Sequence, residues 1–272
     1  MRVCALITML GLVQTAHAAE EGGLSIHLAP QVVTTVFGVP ITSSLFTVWV
    51  SMAILILLAV LVRRSLRLIP GKLQSSFEAL IGGVFDYMSD VLESRELARR
   101  FFPLVMTIFI FILTMNWVGL LPGIDSIGYY GASAHEEGAV AFIPFFHPAA
   151  TDLNITVAFA IIAFVSIELA GVVLLGVWKY AGKFINFKSP LAFLIGIIEL
   201  LSEMARLISF SFRLFGNIFA GKVLLLVIMF LVTPYLLPVP FMAYELFVGF
   251  IQAFIFAILT LYFIKLAIEE PH

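Results

Sequence analysis

The chain has 272 residues, of which 62% are hydrophobic and 12% are charged, and its formal net charge is −2. Soluble domains are about 45–50% apolar and about 25% charged, so this composition predicts an all-α polytopic membrane protein. The sequence offers no basic face for nucleic acid, and one cysteine and five histidines leave little for a metal site or another bound cofactor.

Residues 1–18 have the layout of a secretory signal peptide, with Arg2, a short apolar core and small residues ending at Ala18. The alternative is a first membrane helix, but the apolar run is too short for one. Cleavage after Ala18 would remove Cys4. Residues 19–272 would then form a single transmembrane domain whose N-terminus lies outside the cytoplasm.

Apolar runs long enough to cross a bilayer recur along the rest of the chain. Spans are predicted over residues 44–62, 104–121 and 153–177. Between the first two, residues 73–100 mix apolar and charged side chains, which predicts an amphipathic helix on the membrane surface. Residues 122–151 are polar and rich in glycine, which predicts a loop.

An apolar run with almost no break extends over residues 191–232. A straight helix of about 42 residues is about 60 Å long, roughly twice the hydrocarbon thickness. It must therefore lie steeply tilted, kink near Gly216 or Gly221, or divide into two pieces. The prolines of residues 233–240 predict a turn, and residues 241–268 predict a last helix that completes a long hairpin.

The positions of Lys and Arg predict the orientation of the chain. Seven lie between the first and second spans, three lie in residues 178–189 and Lys265 lies near the end, whereas residues 19–42, 122–151 and 233–240 hold none. Under the positive-inside rule this distribution gives five crossings, with the N-terminus outside and the C-terminus in the cytoplasm.

Seven ionisable residues lie within the predicted apolar spans. They are Glu168, Glu199, Glu203, Arg206, Arg213, Lys222 and Glu245. An arginine at the bilayer centre costs from about 3 to well above 10 kcal/mol, so such residues must be paired, hydrated or functional. The simplest interpretation pairs Arg206 with a glutamate one turn away and pairs Lys222 with Glu245 across the hairpin.

Arg213 does not fit that interpretation. Its neighbours on the same helix face are Ser209, Arg206 and Asn217, and none of them is acidic. An unpaired arginine buried in a membrane is best explained by a partner carboxylate that belongs to another chain.

The last predicted helix carries a second polar stripe at four-three-four spacing. Its members are Glu245, Gly249, Gln252 and Phe256. The Gln252 amide could hydrogen-bond a guanidinium or serve interhelical packing alone, and the same two alternatives remain open for Asn217.

One match to a nucleotide motif is rejected. Residues 216–222 match the letters of a phosphate-binding loop, but Val223 replaces the Ser or Thr that would hold magnesium. The segment also belongs to an apolar helix rather than to a strand, loop and helix. We therefore predict no nucleotide site and no catalytic residue in this chain.

Residues 213–221, which read RLFGNIFAG, resemble the signature helix of subunit a of F-type ATP synthases. Residues 252–256, with Leu259 and Thr260 beyond them, are similar to the last helix of that family. Shorter motifs fit in the same order, at 70–72, at Asn116 with 120–122, and at 152–156. The resemblance covers roughly residues 37–270.

The resemblance implies a proton-conducting stator subunit in the membrane sector of a rotary ATP synthase. Its last two helices would form a tilted hairpin against a rotating ring of c subunits. Further partners would be the lipid bilayer, the peripheral stalk b subunits and, through the complex, the soluble ATPase sector. The expected location is a bacterial inner membrane. Arg213 would face the ring carboxylates, with Asn217 and Gln252 as polar neighbours.

Two half-channels separated by Arg213 would then carry the protons. The outer path is assigned to Glu245, Asp152 and Lys222. The inner path is assigned to Glu199, Glu203 and Glu168. The family commonly has an acidic residue or a histidine where this chain has Lys222, so Lys222 could hold Glu245 ionised instead of donating a proton. A secondary transporter or channel that works alone, and a helix bundle whose ion pairs only fix packing, are the alternatives.

Overall fold

The computed structural model describes residues 30–36, 39–66, 71–121, 123–132, 140–184, 190–231 and 238–269. The predicted signal peptide lies outside the described residues, as does part of the long loop before residue 140. The helices, in chain order, are α1 (Ser43–Ser65), α2 (Lys72–Leu92), α3 (Arg95–Val118), α4 (Leu153–Leu175), α5 (Val177–Phe184), α6 (Pro190–Leu231) and α7 (Pro238–Ile268).

Five of these helices, α1, α3, α4, α6 and α7, are long and apolar enough to cross a membrane. The only sheet structure among the described residues is two antiparallel hairpins, which pair β1 (Val32–Val36) with β2 (Val39–Thr42) and β3 (Gly128–Ala132) with β4 (Val140–Pro144). The prediction of an all-α polytopic membrane protein with five candidate spans is confirmed.

Side-chain caps mark where three of the spanning helices begin. Thr42, Ser94 and Asp152 each accept a hydrogen bond from a backbone amide two or three residues further on, at 3.3, 3.3 and 2.9 Å. Each cap satisfies one of the amide groups that have no partner in the first turn of a helix.

The surface helix is shorter than its pattern suggests. The prediction of a single helix over residues 73–100 was wrong, because α2 ends at Leu92 and Glu93 takes a left-handed conformation with φ of 54°. Ser94 then caps α3, so the charged residues that follow form the first turns of a spanning helix. Charged residues continue on both sides of this break, so the charge pattern does not indicate where α2 ends.

Two connections hold more structure than predicted. The loop over residues 122–151 contains the β3–β4 hairpin, and residues 178–189 include most of the short helix α5. The last helix begins at Pro238, inside the predicted turn of residues 233–240. A proline fits the first turn of a helix because its missing amide hydrogen has no partner there in any case.

Helix α6 is a single helix of 42 residues, so the alternative of two pieces is wrong. At 1.5 Å per residue it is about 63 Å long. Helix α7 packs against α3, α4 and α6, and the rings of Phe210 and Phe256 lie 4.7 Å apart between α6 and α7. On α3, Asn116 and Trp117 donate hydrogen bonds to backbone carbonyls of α7 at 3.2 and 3.1 Å. The last two helices are thereby fixed relative to the rest of the bundle.

Candidate functional site

Arg206 lies at the centre of a network of charges that we call the Arg206 cluster. Its guanidinium binds Glu203 Oε1 at 2.6 Å and lies 3.8 Å from Glu199 Oε1. Lys183 Nζ, on α5, also lies 3.8 Å from Glu199 Oε1. The guanidinium stacks over the ring of Phe263 at 4.7 Å. The predicted pairing of Arg206 with a nearby glutamate is confirmed, because both Glu199 and Glu203 lie within ion-pair distance of its guanidinium.

A hydrogen bond between Tyr180 and Glu168 lies next to this cluster. The Tyr180 hydroxyl donates a hydrogen bond to Glu168 Oε2 at 2.8 Å. Burial raises the pKa of Tyr180, and its hydrogen bond to Glu168 raises that pKa further, so the hydroxyl stays protonated as a donor. Glu168 Oε1 and Glu203 Oε2 are buried and have no hydrogen-bond partner within the described ranges. Glu168, Glu199 and Glu203 thus belong to one region, and Tyr180 and Lys183 were missed because they follow a predicted span.

Arg213 lies two turns further along α6, in a different environment. Its Nη2 donates to Ser209 Oγ at 3.3 Å. Within the part of the chain that the structure describes, no carboxylate lies within 4.0 Å of this guanidinium. A groove of about 360 Å³ is lined by both Arg206 and Arg213, with Ser209 between them on α6 and Ser202 one turn before Arg206. Arg213 therefore has a polar neighbour but no counter-charge among the residues that the structure describes.

The face of α6 beside Arg213 is open. A Cβ at Gly216 would meet no atom within 4 Å, and the Asn217 side chain is exposed at its edge. Asn217 Nδ2 donates to Gln252 Oε1 at 2.7 Å, which joins α6 to α7. Gln252 is 2% exposed, and its Nε2 has no hydrogen-bond partner among the described residues. The structure therefore places Asn217 and Gln252 together one turn beyond Arg213.

The polar stripe on α7 faces inward, since Glu245, Gly249, Gln252 and Phe256 are all buried. Glu245 is 2% exposed, and its carboxylate lies against Gly221, where a Cβ would overlap it. A side chain at position 221 would therefore displace the Glu245 carboxylate.

Lys222 is bonded to a residue that sequence analysis did not select. Its Nζ lies 3.0 Å from Nδ1 of His147, in the segment between β4 and α4. No ion pair joins Lys222 to Glu245 in the described structure, contrary to the simplest interpretation of the sequence. A contact across 75 positions has no local signal, so the sequence could not indicate it.

Asp152 acts as the side-chain cap of α4. It is 4% exposed, and one carboxylate oxygen is occupied by the cap of α4. No hydrogen bond joins it to Glu245 in the described part of the molecule. No group of three metal-ligating residues occurs among the described residues.

Comparison with known proteins matches this chain to one family. Residues 45–265 match the family described as ATP synthase A chain. The chain is 35% identical over 227 residues to ATP synthase subunit a 3 of Pelobacter propionicus, covering 82% of this chain and 86% of that protein. It is 37% identical over 229 residues to ATP synthase subunit a of Desulfosudis oleivorans, covering 82% and 87%. It is 34% identical over 224 residues to ATP synthase subunit a of Geotalea daltonii, covering 82% and 86%.

Proposed function

The chain belongs to the ATP synthase A chain family, and on this premise we propose that it is the proton-conducting stator subunit of a rotary ATP synthase. It is a multi-pass membrane protein. In this proposal the hairpin of α6 and α7 lies tilted against a ring of c subunits, with Arg213 facing the carboxylates of the ring.

The observation that carries the proposal is the environment of Arg213. A guanidinium in an apolar span needs a counter-charge or water, and the described chain offers Arg213 only the Ser209 hydroxyl. The open face at Gly216 supports the approach of another helix to the same side of α6. A ring carboxylate would complete the charge pair that this chain leaves incomplete.

The mechanism follows from the cost of a charge in lipid. A ring carboxylate can face lipid only when it is protonated, because a bare charge there is too costly. Beside Arg213 the ionised carboxylate is favoured instead, so a proton leaves on one side of the arginine and binds on the other. Each proton that crosses at ~100 mV releases about 2.3 kcal/mol, which drives rotation of the ring in one direction.

We assign the inner half-channel to the Arg206 cluster, with Glu199, Glu203 and Glu168. Their contact network supports this assignment, because it holds Glu199 and Glu203 together at Arg206 and leaves the Glu199 side chain partly exposed. The outer half-channel is assigned to Glu245 and Lys222, with Asp152 nearer the surface. Asn217 and Gln252 would hold the ring carboxylate beside Arg213.

The orientation proposed is N-terminus outside and C-terminus in the cytoplasm of a bacterial inner membrane, by the positive-inside rule. Helix α2, on the cytoplasmic side, would contact the peripheral stalk b subunits. The soluble ATPase sector would act on this chain only through the rest of the complex. Residues 1–18 would be removed as a signal peptide.

Replacing Arg213 tests the function. Arg213→Ala should abolish ATP-driven proton pumping in inverted membrane vesicles, because the ring carboxylate would lose the charge that forces it to release its proton. Arg95→Ala is the matched control, since Arg95 forms an exposed ion pair with Asp86 at 3.0 Å. Coupled pumping retained by Arg213→Ala would refute the assignment.

A further inference from the structure

A narrow groove of about 220 Å³ lies between α3 and α4, away from the arginines of α6. Its apolar wall is formed by Phe101 of α3 and by Leu169, Ala170, Val173 and Leu174 of α4. The Leu169 and Val173 side chains are 55% and 57% exposed, so the groove is open at the side of the bundle. Both helices are long and apolar enough to cross a membrane, so in the membrane this opening faces lipid.

The size of the groove fits a lipid acyl chain. The lining residues of α4 extend from Ser166 to Leu174, which is about 12 Å at 1.5 Å per residue. One leaflet contributes about 15 Å, half of the hydrocarbon core. A helix with its side chains is about 10–12 Å across, so the same length of helix has several times the volume of this groove. Ser166 donates its hydroxyl hydrogen to Ile162 O at 2.7 Å, so its donor is already used within α4.

Arg100 is the charged residue among those that line the groove. Its side chain is exposed, and no hydrogen bond or ion pair to it occurs within the part of the chain that the structure describes. Glu96 lies one turn earlier on α3 but forms no ion pair with it there. Arg95, by contrast, is paired with Asp86 at 3.0 Å. The groove therefore combines an apolar wall with a guanidinium that has no counter-charge in the described chain.

The position of Arg100 along α3 matches the edge of the hydrocarbon core. Residues 101–118 hold no Asp, Glu, Lys or Arg, so Arg100 is the last charged residue before the apolar span. On α4 the groove ends at Leu174, one residue before the helix ends. Trp178 follows and is 92% exposed, as is typical of tryptophans at a membrane interface. Lipid phosphates lie at this level, just outside the hydrocarbon.

We propose that the groove between α3 and α4 binds an anionic phospholipid, with one acyl chain along the apolar wall and the phosphate on Arg100. A guanidinium presents its donors in a plane and can bind a phosphate through two parallel hydrogen bonds. Bulk lipid is as apolar as the groove wall, so the wall sets the fit and Arg100 sets the preference for negative charge. This site goes beyond proton conduction, and the orientation proposed above places it in the cytoplasmic leaflet.

The test is photolabelling of the purified complex in nanodiscs with phosphatidylglycerol that carries a diazirine in one acyl chain. Peptide mapping should locate the label on residues 166–174. Arg100→Gln should lower this labelling about fivefold, equivalent to about 1 kcal/mol, because one basic contact to the anionic lipid is lost. Phosphatidylcholine with the same diazirine should label these residues about fivefold less than phosphatidylglycerol does, and Arg100→Gln should abolish that difference.

Arg99→Gln is the matched control. Arg99 is also exposed but does not line the groove, so its replacement removes the same charge and should leave the labelling unchanged. Equal labelling by the two lipids in the unaltered complex, or equal losses in Arg99→Gln and Arg100→Gln, would overturn the proposal. Label that reaches residues 166–174 in the isolated chain but not in the complex would show that another subunit covers the groove, which would also overturn it. The outcome for Arg213→Ala does not bear on this test.

Discussion

Two arginines on one helix show opposite solutions to the same problem. Arg206 and Arg213 lie seven residues apart on α6, and both line one groove. Arg206 is surrounded by Glu203, Glu199 and the Phe263 ring, whereas Arg213 has only Ser209 within the described residues. The first charge is neutralised by carboxylates of the described chain, whereas in the function proposed above the second is paired by a carboxylate of another subunit.

The two stretches of α6 around these arginines differ in the same way. Near Arg206, α5 and α7 cover the helix and supply ionic and aromatic contacts. Near Arg213, the helix presents Gly216 to open space and Asn217 at an exposed edge. Under the proposed function, a helix of the ring packs on this open part of α6. Three sets of substitutions test this comparison.

The largest expected effect is on stability. Arg206→Ala should lower the free energy of unfolding by about 3–5 kcal/mol, because Glu203 would keep a buried charge without its partner. Arg213→Ala should change stability far less, since it breaks no ion pair of the described chain. The measurement is thermal unfolding of the purified chain in detergent.

A second substitution serves as the control for this stability prediction. Adding Glu203→Gln to Arg206→Ala should recover most of the loss, since the buried group is then neutral. If Arg206→Ala and Arg213→Ala destabilise the chain equally, the two arginines do not differ in their pairing as described here.

The next effect concerns packing on the covered and open faces. Gly221→Ala should cost about 1–3 kcal/mol, because the new methyl group would push the Glu245 carboxylate out of its place. Gly216→Ala in the purified chain should instead be neutral or stabilising by about 0.5–1 kcal/mol, since alanine favours helix and meets no neighbour.

The same two glycine substitutions distinguish an effect on the stability of the purified chain from an effect on the assembled complex. If a ring helix packs on the open face, Gly216→Ala should impair ATP-driven pumping although the purified chain is not destabilised. Thermal unfolding and pumping assays on both variants check this. A destabilised Gly216→Ala chain would show that the face is already occupied by this polypeptide.

The smallest effect comes from giving Arg213 an acid of its own. Asn217→Asp places a carboxylate one turn away, at the spacing of a helical ion pair. We expect ATP-driven pumping to fall about tenfold, equivalent to about 1.4 kcal/mol, because the ring carboxylate must then compete for the guanidinium. Asn217→Ala, which only removes the hydrogen bond to Gln252, should reduce pumping less. Equal rates in Asn217→Asp and the unaltered protein would show that a free guanidinium is not required.

Much of this architecture is predictable from the sequence because its signals are local. Apolar length gave the five candidate spans, and helical spacing paired Arg206 with its glutamates and left Arg213 without one. The break at Glu93 was missed because its charge pattern continues across a left-handed residue. The bond between His147 and Lys222 depends on where a distant connection folds back, which neither hydropathy nor periodicity contains.

The most direct test is a high-resolution map of the chain assembled with its ring. We predict that the nearest carboxylate to the Arg213 guanidinium belongs to a c subunit, either in direct contact or through one water. Arg206 should keep Glu203 as its partner in the same map. A carboxylate of this same polypeptide bound to Arg213, or a guanidinium turned to bulk water, would contradict the account.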